Sequence, residues 1–72
     1  MKAAEIGQLI KQRRTFLKVD QKSLGEISDV AVHTISDIES GKGNPTVKVL
    51  SGILDALGME LSVQIKEIEN NE

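Results

Sequence analysis

Hydrogen-bond donors that could bind phosphate groups are concentrated between residues 20 and 45. Gln21, at the start of a predicted helix, can offer its side-chain amide and the helix N-terminus to a phosphate. Lys42 and the backbone of Asn44 lie in a later loop, where they suit phosphate on the other side of a DNA groove. The segment is typical of two short helices joined by a tight turn, the first lying across a DNA backbone and the second entering the major groove. The alternative is that these are ordinary solvated side chains, and Lys22 is a weaker phosphate candidate.

The composition argues against an enzyme. The chain has one histidine, no cysteine and one aromatic residue, so it lacks a nucleophile–histidine arrangement and the usual zinc ligands. The sequence Gly41-Lys42-Gly43 is too short for a phosphate-binding P-loop, and it follows a predicted helix rather than a strand. We therefore expect no catalytic site, no metal site and no cofactor.

Size and charge indicate one small domain that associates with itself. The 72 residues carry a formal net charge of −2. Residues 1–48 have eight Lys and Arg against six Asp and Glu, so this part can present a positive face to phosphate. A domain of this size without disulfides or metal is marginally stable alone, which leaves self-association as the remaining source of stability. Charged residues interrupt each apolar stretch, so we expect no targeting signal, no membrane span and a cytoplasmic protein.

Helical spacing of apolar residues predicts the first two helices. The first covers residues 3–17, with apolar positions at Ile6, Leu9, Ile10, Phe16 and Leu17. Asp20 is a good N-cap for a second helix that ends near Ser28, and its carboxylate can accept from the amide of Lys22 or Ser23. Asp29 follows at a position where a tight turn often needs a positive φ angle.

Two further helices follow the turn. The third runs from Val32 to Ser40 and is ended by Gly41. Thr46 caps a fourth helix, which ends at Gly58. This last helix is predicted to bury Val47, Leu50, Ile53, Leu54 and Leu57.

After Gly58 the period changes to two, which is typical of a half-buried strand. The apolar residues Met59, Leu61, Val63 and Ile65 alternate with polar ones over residues 59–66. No other segment has a strand pattern, and an unpaired strand is not stable alone. We therefore expect this strand to pair with its copy across a two-fold axis, followed by a flexible acidic tail over 67–72. Continuation of the fourth helix through Glu60–Lys66 is the alternative.

These residues resemble the Xre/Cro/cI-type helix-turn-helix family. The matching motifs, in register and without gaps, are Gln21, Leu24-Gly25, Thr34-Ile35-Ser36, Glu39-Ser40-Gly41-Lys42 and Asn44-Pro45, with Arg14 seven residues before Gln21. The resemblance implies a mostly α, lambda-repressor-like bundle of about four helices, with residues 1–58 as the DNA-binding domain and 59–66 as a dimerisation strand. Gly25, Asp29 and Ala31 depart from the family's usual alanine, glycine and Ser/Thr cap, and Ile27 is apolar where the family is usually polar.

The family's register also implies roles for individual side chains. Ile35 and Ile38 face inward, and the residues facing the bases are Val32, His33, Thr34, Ser36 and Asp37. Val32 suits a thymine methyl group, His33 a purine acceptor and Asp37 the amino group of cytosine. Arg14 and Glu39 are expected to form a bidentate ion pair that orients the motif.

The resemblance implies a sequence-specific repressor that binds double-stranded DNA through the major groove. It would act as a homodimer on an inverted repeat. The predicted strand is similar to that of HipB-like antitoxins, which bind a HipA-like kinase toxin, so such a kinase is a candidate partner. The alternative is a protein-binding module that keeps the helix-turn-helix shape and neutralises a partner without specific DNA binding.

Overall fold

A computed structural model describes residues 2–67 as four helices. The helices are α1 (Ala3–Phe16), α2 (Gln21–Ser28), α3 (Val32–Glu39) and α4 (Val47–Ala56). This confirms the predicted four-helix, mostly α architecture, with bounds that differ from the expected ones by one or two residues. Within residues 2–67 no segment forms a strand, and no helix is long and apolar enough to cross a membrane.

The predicted caps fix where α2 and α4 begin. The Asp20 carboxylate accepts from the Ser23 N–H at 2.7 Å, and the Thr46 hydroxyl accepts from the Val49 N–H at 3.1 Å. Ala31 precedes α3 and provides no side-chain hydrogen bond, so α3 begins without this contribution.

The core lies where the four helices meet. Its buried members are Ile10, Leu24, Ile35, Ile38, Leu50, Ile53, Leu54 and Leu57. The prediction that Val47 is buried is wrong, because its side chain is 70% exposed. Val47 is the first residue of α4, and the apolar stripe of this helix extends one turn beyond the part that the core covers.

Two glycines allow the helices to approach α3 and the turn before it. A Cβ atom at Gly7 of α1 would overlap the carbonyl group of Ile38 in α3. A Cβ atom at Gly25 of α2 would lie 2.6 Å from the carbonyl oxygen of Val30. The glycine that replaces the family's usual alanine at position 25 therefore permits close packing between α2 and the turn.

Residues 59–67, here called the C-terminal segment, have neither helical nor strand structure in this single chain. Helix α4 ends at Ala56, so its continuation through Glu60–Lys66 is wrong. Gly58 has φ of +72°, a left-handed conformation that commonly ends helices and that glycine adopts most readily. Pairing of this segment with a second copy stays a prediction, and residues 68–72 of the expected acidic tail lie outside the described residues.

Candidate nucleic-acid interface

The turn between α2 and α3 orients the two helices of the motif. Asp29 has φ of 59° and ψ of 42°, the left-handed conformation that the sequence predicted for this position. Its backbone N–H donates to the carbonyl oxygen of Gly25, and the Val30 N–H donates to the same oxygen at 2.9 Å. The chain thus leaves α2 abruptly and enters α3 after three residues.

A buried hydrogen-bonded group joins α1, the start of α2 and the end of α3. Arg14 donates to Glu39 twice, from Nε to Oε2 at 2.7 Å and from Nη2 to Oε1 at 2.9 Å. Its Nη1 atom donates to the Val19 carbonyl oxygen at 2.9 Å. Gln21 donates from Nε2 to Glu39 Oε1 at 3.0 Å. We call Arg14, Gln21 and Glu39 the Glu39 network.

Burial and hydrogen bonding shift the pKa values of the two charged groups in this network. The side chains of Arg14 and Glu39 are only 11% and 3% exposed. Burial by itself raises the pKa of Glu39, but the hydrogen bonds from Arg14 and Gln21 outweigh it and hold the pKa below its ordinary value of 4.5. The hydrogen bonds from Arg14 to Glu39 raise the pKa of the arginine, although burial opposes them. Both groups are therefore charged at neutral pH.

The Gln21–Glu39 bond was not predicted from the sequence, and it determines which way the glutamine amide points. An ionised carboxylate only accepts hydrogen bonds, so Gln21 must turn its NH₂ group toward Glu39. That NH₂ group has a second N–H, which Glu39 does not use. Helical periodicity has no signal for this contact, because its partners are 18 residues apart and lie on different helices.

The outer face of α3 carries the residues predicted to face the bases. Val32 is 47% exposed, and His33 and Asp37 are also exposed. Thr34 and Ser36 are half-buried. Ile35 and Ile38 point into the core, with exposed fractions of 0% and 5%, as predicted.

The loop after α3 lies beside this face. His33, Thr34, Asp37, Lys42 and Asn44 line one hollow of the surface. The Lys42 N–H donates to the Asp37 carbonyl oxygen at 2.8 Å, so the loop is tied to the last turn of α3. The structure therefore brings the predicted base-facing and phosphate-binding residues of this region together.

Two basic residues have different surroundings. Lys22 lines a shallow hollow with Ala31 and Val32, beside the start of α3. Arg13 donates from Nε to the Leu57 carbonyl oxygen at 2.9 Å, and its guanidinium lies 5.5 Å from the centre of the Phe16 ring. Arg13 thus caps the end of α4.

Among residues 2–67 no group of three or more His, Cys, Asp or Glu side chains could hold a metal ion.

Comparison with known proteins gives a family and one relative. The sequence pattern of the helix-turn-helix family matches residues 10–64, which include α2, α3 and α4. The chain is also 32% identical over 62 residues to the immunity repressor protein of Bacillus phage phi105. That match covers 86% of this chain but 43% of the relative, so the chain spans less than half of the length of that repressor. The match over most of the chain, together with the geometry of α2 and α3, shows that this protein belongs to the helix-turn-helix family.

Proposed function

We propose that this protein is a sequence-specific DNA-binding transcriptional repressor that acts as a homodimer on an inverted repeat. In this proposal α3 enters the major groove, and Val32, His33, Thr34, Ser36 and Asp37 are the residues near the base edges. Gln21, Lys22, Lys42 and Asn44 bind the phosphates on either side.

The observation that carries the proposal is the Glu39 network, which anchors the last residue of α3 and leaves the outer face of this helix exposed. It fixes α3 against α1 and α2, while one N–H of the Gln21 amide remains for a phosphate beside the groove. The similarity to a phage immunity repressor supports a role in repression.

The test is selection of bound duplexes from fragmented genomic DNA at about 150 mM salt, where purely electrostatic binding is already weakened. We expect enrichment of one inverted repeat. On that repeat, His33→Ala and Gln21→Ala should each weaken binding by roughly tenfold, consistent with about 1–3 kcal/mol for a good contact. Asp55→Ala is the matched control, because Asp55 is exposed near the end of α4, away from the residues proposed to bind DNA.

Base contacts and phosphate contacts should differ in how strongly they depend on the DNA sequence. Loss of His33 should reduce discrimination between the selected repeat and unrelated duplexes. Loss of Lys42 should weaken both to a similar extent and reduce the salt dependence. A folded dimer that enriches no sequence would contradict the repressor function and favour the protein-binding alternative, for which the 65% exposed Ile27 is a candidate contact.

A HipA-like kinase toxin remains the proposed partner, which would make the protein an antitoxin that represses its own operon. The exposed apolar residues Val63 and Ile65 support only a protein contact in general. Co-purification of a kinase encoded beside this gene, with suppression of its toxicity, is the expected result. A repressor that binds its operator but neither binds nor neutralises that kinase would contradict the antitoxin role alone.

A further inference from the structure

We infer that the C-terminal segment pairs with its copy as antiparallel strands centred on Val63, with Glu60 of each chain opposite Lys66 of the other. This register rests on the homodimer of the proposed function and makes its interface specific.

The apolar side of the C-terminal segment is uncovered in the single chain. Val63 and Ile65 are each 99% exposed, and Leu61 is 42% exposed. Met59, at the start of the segment, packs against the core. In an extended chain these four residues lie on one side, so the side that begins at the core continues as an apolar face without cover.

An apolar groove lies at the base of this face. It is lined by Ile6 and Leu9 of α1, Leu54 of α4, and Met59 and Leu61 of the C-terminal segment. Leu9 is 43% exposed there. A second chain that pairs with the segment would place its Val63 and Ile65 beside the apolar residues of the first chain, so each set would shield part of the other from water.

The charges of the segment select the register. A two-fold axis at Val63 places Val63 opposite its copy and Leu61 opposite Ile65 on the apolar side. On the polar side the same axis places Glu60 opposite Lys66 twice, once on each side of the axis. Directly opposed residues of opposite charge stabilise an antiparallel pair.

Neighbouring registers lack this complementarity. Centred on Ser62, the pairing places Glu60 opposite Gln64 and leaves Lys66 beyond the paired apolar residues. Centred on Gln64, it places Lys66 opposite Ser62, so Glu60 and Lys66 no longer meet. A parallel in-register pair would set Glu60 against Glu60 and Lys66 against Lys66, and like charges directly opposite are destabilising.

Charge reversal tests the register in the full-length protein. Homodimers of Glu60→Lys or of Lys66→Glu would each have like charges at both opposed positions, so the dimer dissociation constant should rise about tenfold or more. An equimolar mixture of the two variants restores both opposite-charge pairs in the heterodimer. Sedimentation equilibrium should therefore show that the mixture recovers an affinity near that of the unchanged protein.

Glu67→Lys is the matched control, because it makes the same change in charge at the neighbouring residue. Its homodimer keeps both Glu60–Lys66 pairs and should dissociate within about threefold of the unchanged protein. A mixture of Glu67→Lys with Lys66→Glu should not show the recovery, since its heterodimer retains a like-charged pair. Equal recovery in the two mixtures would show general attraction between oppositely charged chains and overturn the register.

Cysteine crosslinking provides an independent readout in a chain that has no native cysteine. Val63→Cys should form a covalent dimer on mild oxidation, because opposed Cα atoms in an antiparallel pair lie within disulfide range. Gln64→Cys should not, because its copy is displaced along the strand by two residues, which exceeds that range. The reverse result would place the axis at Gln64 and overturn the register. A monomeric unchanged protein would overturn the homodimer as well, whereas operator binding tests the repressor function separately.

Discussion

The Glu39 network and the C-terminal segment differ in where their partners lie. Glu39 accepts from Arg14 and Gln21 within the same chain, and its carboxylate is almost fully buried. Val63 and Ile65 are almost fully exposed in that same chain. A buried polar group needs hydrogen-bond partners within the fold that buries it. An exposed apolar face can instead be covered by a second molecule. The first region therefore makes the motif rigid, and the second is where we propose that assembly occurs.

Removal of Glu39 should have the largest effect on folding. Glu39→Ala leaves the part-buried guanidinium of Arg14 and the Gln21 amide without their acceptor, so we expect the free energy of unfolding to fall by about 3 kcal/mol. Chemical denaturation measures this loss. Glu26→Ala, an exposed glutamate of α2, should stay within about 0.5 kcal/mol of the unchanged protein. Equal stability of the two variants would contradict the importance of the network.

The same carboxylate predicts a pH dependence. The pKa of Glu39 in the folded chain is held below 4.5, because the hydrogen bonds it accepts outweigh the effect of burial. The unfolded chain therefore takes up its proton first, so this contribution to stability is complete above about pH 5 and is lost as the pH falls through the folded pKa. Asp20 contributes with the same sign, because the Ser23 N–H lowers its pKa. Glu39→Gln should remove the Glu39 part of the acid loss and leave the Asp20 part.

Two helical glycines, Gly25 and Gly52, offer another test, because one is tightly enclosed and the other is not. Gly25→Ala should destabilise the fold by about 1–3 kcal/mol, because its methyl group would lie 2.6 Å from the Val30 carbonyl oxygen. Gly52→Ala should stabilise it by about 0.5–1 kcal/mol, because the nearest atom, the Ser28 carbonyl oxygen, is at an ordinary 3.6 Å. Thermal denaturation of both variants measures the difference. Stabilisation by both would mean that α2 is not held closely against the turn.

A substitution at the start of α3 should have a smaller effect on stability. Ala31 precedes this helix and has no side chain that can cap it. Ala31→Ser adds an oxygen that can accept from a first-turn N–H and should stabilise the protein by about 1 kcal/mol. Ala31→Val is the control, because it adds side-chain atoms at the same position without an acceptor. A gain that valine reproduces would show that capping is not its cause.

The local elements of the fold were predictable because their signals are local. Asp20 and Thr46 cap the helices that follow them, and Asp29 adopts the left-handed conformation expected of it. Features that depend on tertiary contacts were not predictable in this way. The spacing of α4 placed Val47 on its apolar stripe, but spacing does not show how far along the helix the core extends.

In the candidate site, too, local features were predictable from the sequence and tertiary contacts were not. The inward positions of Ile35 and Ile38 follow from helical periodicity, and the outer face of α3 is the side that remains. The bond between Gln21 and Glu39 depends on how three helices pack, so sequence spacing has no signal for it. The alternation after Gly58 predicts a strand, but a strand needs a partner, and within residues 2–67 none exists in the single chain.

The smallest effect on the stability of the monomer is expected at Val63. Because its side chain is 99% exposed, Val63→Ser should change the free energy of unfolding by less than about 0.5 kcal/mol in dilute solution. In the unchanged protein, dimerisation should make the melting temperature rise with concentration, since association stabilises the folded chain by mass action. The variant should lose that concentration dependence while it keeps the dilute value. A large loss at high dilution would instead mean that Val63 packs within its own chain, and the contrast between the Glu39 network and the C-terminal segment would then disappear.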